Sequence, residues 1–148
     1  MNDLKIIGNK EWCHFKELNI PAIKARIDSG AKTSSIQATD ITTYKKNKED
    51  WVRFYVQSIT ENRRISIECE AKVISTRIVK SSSGIPEKRF VISSPITMDN
   101  ETWDIELTLT NRDTMEFKML LGRQAMQSKI LVNPAKEFLL GNISSDAI

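Results

Sequence analysis

The sequence holds few of the side chains that bind metals or form disulfides. Its 148 residues include two cysteines, Cys13 and Cys69, and one histidine, His14. The two cysteines are far apart in the chain, whereas tetrahedral zinc requires three or four nitrogen or sulfur ligands. We therefore expect no bound metal, and we expect both cysteines to be reduced and buried as small apolar side chains.

Long apolar runs are also lacking. No segment approaches the roughly 18 consecutive apolar residues of a membrane-spanning helix, and the N-terminal residues do not follow the basic, apolar and small order of a signal peptide. A glycine-rich phosphate loop is absent too, so nothing supports ATP as a ligand. These absences predict a cytoplasmic protein with no cofactor and no membrane partner.

Neither sign of charge dominates. The chain has 22 basic and 19 acidic residues, for a net charge of +3, which is weak support for a polyanionic partner. Trp51, Phe54 and Trp103 lie in strand-like patterns, where core packing is the common outcome for aromatic side chains. We therefore expect no nucleic-acid partner.

The chain does contain many short segments in which apolar and polar residues alternate, as they do in half-buried strands. Residues 51–56 and 64–71 predict one hairpin. Residues 73–80 and 88–92 predict a second, longer hairpin with a Ser/Gly/Pro tip. Residues 44–50 are rich in charged side chains and predict a solvated turn.

Only one segment, residues 123–127, has the composition of a short helix. Many short strands with frequent turn signals and a single late helix indicate an all-β barrel or sandwich. With 40% hydrophobic residues the chain is long enough for one domain with a real core. We place that domain at residues 1–141 and expect a disordered tail at residues 142–148.

The candidate for chemistry is an acid at the end of a predicted strand. Residues 23–27 alternate between apolar and basic side chains and lead directly into Asp28. Ser29 then offers a hydroxyl, and Gly30 permits a tight turn and a close approach of another backbone. Taken alone, this triplet is a weak signal, because an acid at a strand end often does no more than bond its own turn.

A second motif, Met119-Leu120-Leu121-Gly122-Arg123, places an apolar strand and Gly-Arg before the predicted helix. The order of Asp loop, Gly-tipped hairpin and hydrophobic-hydrophobic-Gly loop resembles that of the retroviral-type aspartic peptidases. Residues 6–141 resemble one branch of that clan more closely, the bacterial RimB-like proteins often labelled ATP-dependent zinc proteases. The stretches that carry this resemblance are residues 20–35, 51–54, 68–71, 105–113 and 119–123.

The resemblance implies a closed β-barrel in which Asp28 is the catalytic residue of an aspartic endopeptidase. Because the chain has one Asp-Ser-Gly triplet, a site with two carboxylates requires a homodimer with one Asp28 from each subunit. Two close carboxylates share one proton, so one acts as acid while the other acts as base. The residues expected to support this dyad are Ser29, Gly30, Ala31, Leu121, Gly122 and Arg123.

Two positions depart from the family patterns. Ser29 stands where the family more often has Thr, but it keeps the hydroxyl. Lys32 stands where retroviral relatives have the acid that receives the arginine of the second motif. We therefore expect Arg123 to find another acid and Lys32 to face the substrate.

The family's role is to trim poly-α-glutamate tails that a partner ligase adds to a ribosomal protein, which implies an acidic peptide or a glutamylated ribosomal protein as the partner. The predicted flap, residues 77–89, carries four cations and one acid, or 4 − 1 = +3. Such cations favour carboxylates through charge-assisted hydrogen bonds. The expected substrate-binding residues are Arg26, Lys32, Arg77, Lys80, Gly84, Lys88 and Arg89.

The same residues are also compatible with other functions. The basic hairpin is also compatible with a plain solvated surface. The cleft of the dimer is compatible with a non-catalytic module that binds acidic peptides without cutting them. The family label suggests a metal-dependent peptidase, although Cys13, His14 and Cys69 are the whole nitrogen and sulfur supply and no HExxH motif is present.

Overall fold

The computed structural model describes residues 4–60, 63–80, 84–111 and 117–142. Strands dominate these residues, with a 3₁₀ turn at Lys16–Leu18 and one short α-helix. In the described ranges, no helix has the length and apolar character needed to cross a membrane. The elements are β1 (Lys5–Ile7), β2 (Lys10–Phe15), β3 (Ile20–Ile27), β4 (Ser34–Gln37), β5 (Thr39–Lys46), β6 (Glu49–Thr60), β7 (Arg63–Lys80), β8 (Pro86–Met98), β9 (Glu101–Thr110), β10 (Met119–Leu121), α1 (Arg123–Met126) and β11 (Ile130–Val132).

Six of these strands close into a barrel. Their order is β2, β3, β10, β4, β9 and β8, and the pairing of His14 in β2 with Thr97 in β8 completes the ring. Closure pairs the edges that an open sheet would leave exposed. The predicted all-β class, the closed barrel and the short helix in the second half of the chain are confirmed.

Strands β7, β6 and β5 extend the sheet outward from β8. Both predicted hairpins are confirmed, and they share β7, which runs for 18 residues. The second hairpin narrows to the pair Lys80 and Pro86, and residues 81–83 of its predicted tip lie outside the described residues. This is the hairpin that the sequence predicts as a flap.

The first turn is shorter than predicted. Residues 44–50 were expected to form one solvated turn, but β5 continues to Lys46 and β6 begins at Glu49. Asn47 and Lys48 make the whole connection, with φ of 51° and 66°. Two successive residues with positive φ form the kind of two-residue turn that matches the twist of a hairpin, so no longer loop is needed.

The short strand β10 determines where the two sequence motifs meet. It runs parallel to β3, with Leu121 opposite Ile27, and antiparallel to β4, with Leu120 opposite Ser35. Strand β4 in turn runs parallel to β9. The end of the Asp28 strand and the start of the Gly122 loop are therefore adjacent in space.

A buried carboxylate holds the end of the described chain against the barrel. Glu11 is 0% exposed, and its Oε2 accepts hydrogen bonds from the backbone N–H groups of Gly8 at 2.7 Å and Leu139 at 2.9 Å. Its Oε1 accepts from Leu140 N–H at 3.2 Å. Residues 143–148 of the predicted tail lie outside the described residues.

Candidate active site

The backbone at Asp28 is fixed by the strand that carries the second motif. Asp28 N–H donates to the carbonyl oxygen of Leu121 at 2.9 Å, which continues the parallel pairing of Ile27 with Leu121 past the end of β3. The Asp28 side chain is half-buried. The main chain of Asp28 is therefore fixed by a hydrogen bond, while its side chain remains partly accessible to solvent.

The Asp28 carboxylate is held by its own turn. Oδ1 accepts a hydrogen bond from Gly30 N–H at 3.0 Å, and Ala31 N–H donates to the Asp28 carbonyl at 3.2 Å. A Cβ added at Gly30 would lie 3.3 Å from Oδ1, so a larger residue would press on the carboxylate. Within the described part of the chain nothing hydrogen-bonds to Oδ2, which leaves that oxygen available to a substrate, a water or another carboxylate.

Gly122 lies under the same turn at very short range. A Cβ built on it would be 2.6 Å from the backbone C and O of Thr33 and 3.0 Å from the carbonyl oxygen of Ala31. Its N–H donates to the side-chain oxygen of Ser34 at 2.9 Å. Only glycine fits this contact, which explains in physical terms why the second motif ends its strand with that residue.

Arg123 has a different partner from the one expected. The sequence predicts an acid, but Arg123 Nη1 donates to the backbone carbonyl of Ser29 at 3.0 Å. Its own N–H donates to the Ala31 carbonyl at 2.7 Å. No acid in the described ranges pairs with Arg123, because the turn itself presents a carbonyl where the retroviral relatives are expected to present a carboxylate.

Ser34 is a supporting residue that the sequence analysis missed. It is 2% exposed, its hydroxyl accepts from Gly122, and its carbonyl accepts from Thr108 Oγ1 at 3.3 Å. The only sequence signal was a hydroxyl residue two positions before Ile36 in β4. Residues two apart in a strand share a face, so Ser34 lies on the same inward face as the buried Ile36. Such a signal does not distinguish a supporting serine from an ordinary strand serine.

Three of the predicted substrate-binding residues meet beside the turn. Lys32 and its neighbour Thr33 line two cavities. The larger, of about 440 Å³, is also lined by Arg77, and the smaller, of about 260 Å³, by Arg89. The other four lie exposed outside both cavities, and they are Arg26, Lys80, Gly84 and Lys88.

The two arginines of the β7–β8 hairpin, Arg77 and Arg89, differ in their ion pairs. Arg77 Nη2 lies 2.8 Å from Glu106 Oε1, so its charge is already matched within the protein. Arg89 Nε lies 3.6 Å from Glu87 Oε1, which is too long for a hydrogen bond. Arg89 is therefore the cation with more capacity for a bound anion.

The cysteines and the histidine do not form a metal site. Burial raises the pKa of the Cys69 thiol to about 12, with a smaller contribution from the charge of Glu68. Burial also raises the pKa of the Cys13 thiol, and the charge of Glu11 adds a smaller increase. Both thiols are free and buried as predicted, and His14 Nδ1 bonds the carbonyl of Pro21. The searched part of the chain holds no group of three or more His, Cys, Asp and Glu residues that could bind a metal ion.

Similar proteins of known sequence are longer than this chain. A protein of Desulfotalea psychrophila is 52% identical over 144 residues, one of Shewanella pealeana is 53% identical over 142, and one of Parasynechococcus marenigrum is 43% identical over 143. The matches cover 95–97% of this chain and 31% of each relative, so the chain spans about a third of their length. All three are named probable alpha-L-glutamate ligase.

A solved structure shares the fold. A crystal structure of a Legionella pneumophila protein with unknown function superposes with a TM-score of 0.76 and 27% sequence identity. The match covers 93% of this chain and 99% of the Legionella chain. The barrel with its outer hairpins is therefore an arrangement that another natural sequence also adopts.

The family comparison agrees with the geometry around Asp28. The model of a family described as retropepsin-like aspartic endopeptidase RimB matches residues 6–142. That range includes the Asp28 turn, the predicted flap hairpin and the Gly122 loop, in the order on which the resemblance was based. The chain belongs to the RimB-like family of retropepsin-like aspartic endopeptidases.

Proposed function

We propose that this protein is an aspartic endopeptidase that works as a homodimer, with Asp28 of each copy forming a shared catalytic dyad. The observation that carries the proposal is the half-buried Asp28 carboxylate, held through Oδ1 by Gly30 N–H and open at Oδ2. One such carboxylate cannot supply both an acid and a base. A second copy would bring the missing group to the open side.

The chemistry of the dyad is hydrolysis by an activated water. The ionised carboxylate takes a proton from water while the protonated one polarises the peptide carbonyl. Attack by the water oxygen and transfer of a proton to nitrogen break the C–N bond, which yields a new carboxylate and a new amine. The single proton belongs to the pair, because two close carboxylates resist being ionised together.

We propose an acidic protein tail, of the poly-α-glutamate kind found on a glutamylated ribosomal protein, as the substrate. Lys32, Arg77 and Arg89 border the turn that carries Asp28, and cations favour carboxylate side chains. The relatives named probable alpha-L-glutamate ligase support this substrate, because a ligase would form the bonds to glutamate that the proposed peptidase would break. In this proposal the ligase activity belongs to the part of those proteins that this chain does not match.

The test is cleavage of a peptide extended at its C-terminus by several α-linked glutamates. Wild-type protein and Asp28→Asn are compared with and without a chelator, and the new termini are identified by mass spectrometry. We expect the wild type to cleave in both conditions and the variant to be inactive in both. Loss of wild-type activity in chelator together with an active variant would instead favour the metal-dependent alternative.

Equilibrium binding separates a peptidase from a module that only binds. Asp28→Ala should keep its affinity for the glutamate-extended peptide and lose turnover. A wild type that binds the peptide but never cleaves it would identify the protein as a binding module. Glu101→Gln, an exposed acid on β9, is a suitable control for the loss of one carboxylate.

A further inference from the structure

The smaller of the two cavities lies against the catalytic turn. We call it the Arg89 cavity, and the residues that matter for its chemistry are Lys32, Ser35, Arg89, Thr110 and Leu120. It is connected to the Asp28 turn through the main chain, because Leu120 precedes the residue whose carbonyl accepts the Asp28 N–H. Ala31, whose N–H closes the Asp28 turn, also lines this cavity, so a side chain that fills it would lie beside that turn.

Two residues that line this cavity carry a buried polar atom with no hydrogen bond to any described part of the chain. The Arg89 side chain is 12% exposed, and its buried Nε lies 3.6 Å from Glu87 Oε1, too far for a hydrogen bond. Thr110 is 2% exposed, and its Oγ1 is buried and unpaired as well. Buried polar atoms are nearly always satisfied in folded proteins, so two such atoms on residues that line one cavity favour a polar group bound beside them.

The ligand these atoms require is an anion with more than one acceptor oxygen. Arg89 Nε–H can only donate, and the Thr110 hydroxyl is free to donate. A carboxylate supplies acceptors to both, and hydrogen bonds to an ionised group are the stronger kind. Lys32, exposed at the border of the same cavity, adds a second positive charge.

The larger cavity lacks this preference for an anion. Its arginine, Arg77, is matched by Glu106 at 2.8 Å, and Asp104 lines it as well. A carboxylate placed there would meet two acids of the protein. The described residues that line the Arg89 cavity include no acid, and the acid paired with Arg89, Glu87, lies farther away at 3.6 Å than Glu106 lies from Arg77. Charge therefore favours the Arg89 cavity.

We propose that the Arg89 cavity is the specificity pocket for a glutamate side chain of the substrate, with Arg89 Nε and the Thr110 hydroxyl as its carboxylate-binding groups. The assignment rests on the proposed function, because it names the residues through which that site selects acidic peptides. Leu120 contacts the aliphatic part of the glutamate. Lys80 and Lys88 have no direct part in the pocket.

Binding in a catalytically silent background tests the pocket without cleavage. Each variant is made in the Asp28→Asn protein, and its affinity is measured by calorimetry for a glutamate peptide and for the same peptide with glutamines. Arg89→Gln should weaken binding of the glutamate peptide about tenfold or more and leave the glutamine peptide within about twofold. Thr110→Val, which keeps the shape of the side chain, should lower the affinity for the glutamate peptide by a few-fold.

Arg64→Gln is the matched control. Arg64 is an exposed arginine of β7 that lines neither cavity, so its replacement removes the same charge without touching the pocket. We expect it to change affinity for the glutamate peptide less than twofold. Thermal unfolding of each variant checks that the barrel is intact, and Thr110→Val carries the test if Arg89→Gln does not fold.

The outcomes distinguish the pocket from the proposed function. If the wild type cleaves glutamate peptides but Arg89→Gln and Thr110→Val keep the full preference for glutamate over glutamine, the pocket is wrong and the peptidase stands. If the wild type never cleaves but binding depends on Arg89 and Thr110, the pocket stands and the peptidase is wrong. If Arg64→Gln lowers the affinity for the glutamate peptide as much as Arg89→Gln does, the effect comes from net charge alone and the pocket is wrong.

Discussion

The backbone N–H of Asp28 donates to the carbonyl of Leu121 at 2.9 Å, and this hydrogen bond joins two motifs that are far apart in the sequence. It extends the β3–β10 pairing to the candidate catalytic residue itself. The loop after Leu121 then returns to the Asp28 turn, where Arg123 binds the carbonyls of Ser29 and Ala31. The position of the Asp28 carboxylate therefore depends on residues 121–123, which have no proposed catalytic role.

Gly122→Ala should disturb this arrangement directly. The new Cβ would lie 2.6 Å from the Thr33 backbone, which cannot move aside as a flexible side chain can. We expect a loss of about 2–3 kcal/mol of unfolding free energy and a lower turnover number. Chemical denaturation and peptide hydrolysis measure the two effects.

Gly84→Ala is the comparison for that substitution. Gly84 has a φ of +80°, and among the described residues no atom lies within 4 Å of its missing Cβ, so backbone strain is the cost that these residues predict for the change. We expect a cost of about 1 kcal/mol. Equal losses from the two glycine variants would contradict the steric explanation for Gly122.

Glu11→Ala should release the last described segment from the barrel. The substitution leaves the N–H groups of Gly8, Leu139 and Leu140 without their buried acceptor. Leaving a buried donor unsatisfied costs about 1–3 kcal/mol, so three such donors predict a loss of at least about 3 kcal/mol of unfolding free energy. Hydrogen exchange should show faster exchange at Leu139 and Leu140 before the rest of the barrel opens.

Glu11→Gln refines that prediction. A glutamine can keep two of the bonds through one oxygen, but its amide nitrogen would face the third N–H group. It should therefore be less stable than the wild type and more stable than Glu11→Ala. Glu101→Gln should change stability by less than about 0.5 kcal/mol, and a similar effect of both glutamine substitutions would argue against a special role for Glu11.

The buried thiols predict a loss of stability at alkaline pH. Burial raises the pKa of Cys69 from 9.0 to about 12 in the folded protein, so the neutral thiol is favoured by folding. This contribution is fully present below the unfolded pKa and is lost as pH rises from about 9 to about 12. Unfolding free energies of the wild type and Cys69→Ala should therefore converge across that window.

Thiol chemistry gives an independent measurement of the same burial. Neither Cys13 nor Cys69 should react with a chromogenic disulfide reagent at neutral pH in the native state, because the thiolate is the reactive form. Both should react in denaturant. Rapid reaction of one thiol in the native protein would show that it is accessible and would contradict the assigned burial.

The strands could be predicted because their signals are local, whereas the contact between the Asp28 turn and the Gly122 loop was expected only from the family resemblance. Alternation over β3 and β9 and the apolar run before Gly122 each specify one strand and its end. The partner of Arg123 could not be predicted in this way. It is a backbone carbonyl, and which carbonyl the turn presents depends on the conformation of residues 28–31 and not on side-chain identity.

The pocket was predictable only in part for a similar reason. Lys88 and Arg89 are adjacent cations in one strand, and a shift of one residue in register exchanges which of them faces the barrel. Sequence alone gives no register between β7 and β8, in which Arg89 lies opposite Arg77 and Lys88 opposite Ile78, so both cations were expected to bind substrate. Thr110 and Ser34 were missed because the burial of a hydroxyl depends on pairings with distant strands.

A subunit-mixing experiment tests the dyad most directly. A heterodimer of wild type and Asp28→Asn would hold only one catalytic carboxylate, so it should be inactive. Equal amounts that exchange at random leave about one quarter of the dimers with two Asp28 residues, and activity should fall to that fraction of an all-wild-type sample. Mass-tagged subunits verify the exchange, and a larger excess of the variant should suppress activity further. A decline to one half, as simple dilution of independent monomers gives, would show that each chain is catalytically complete and would reject the shared site.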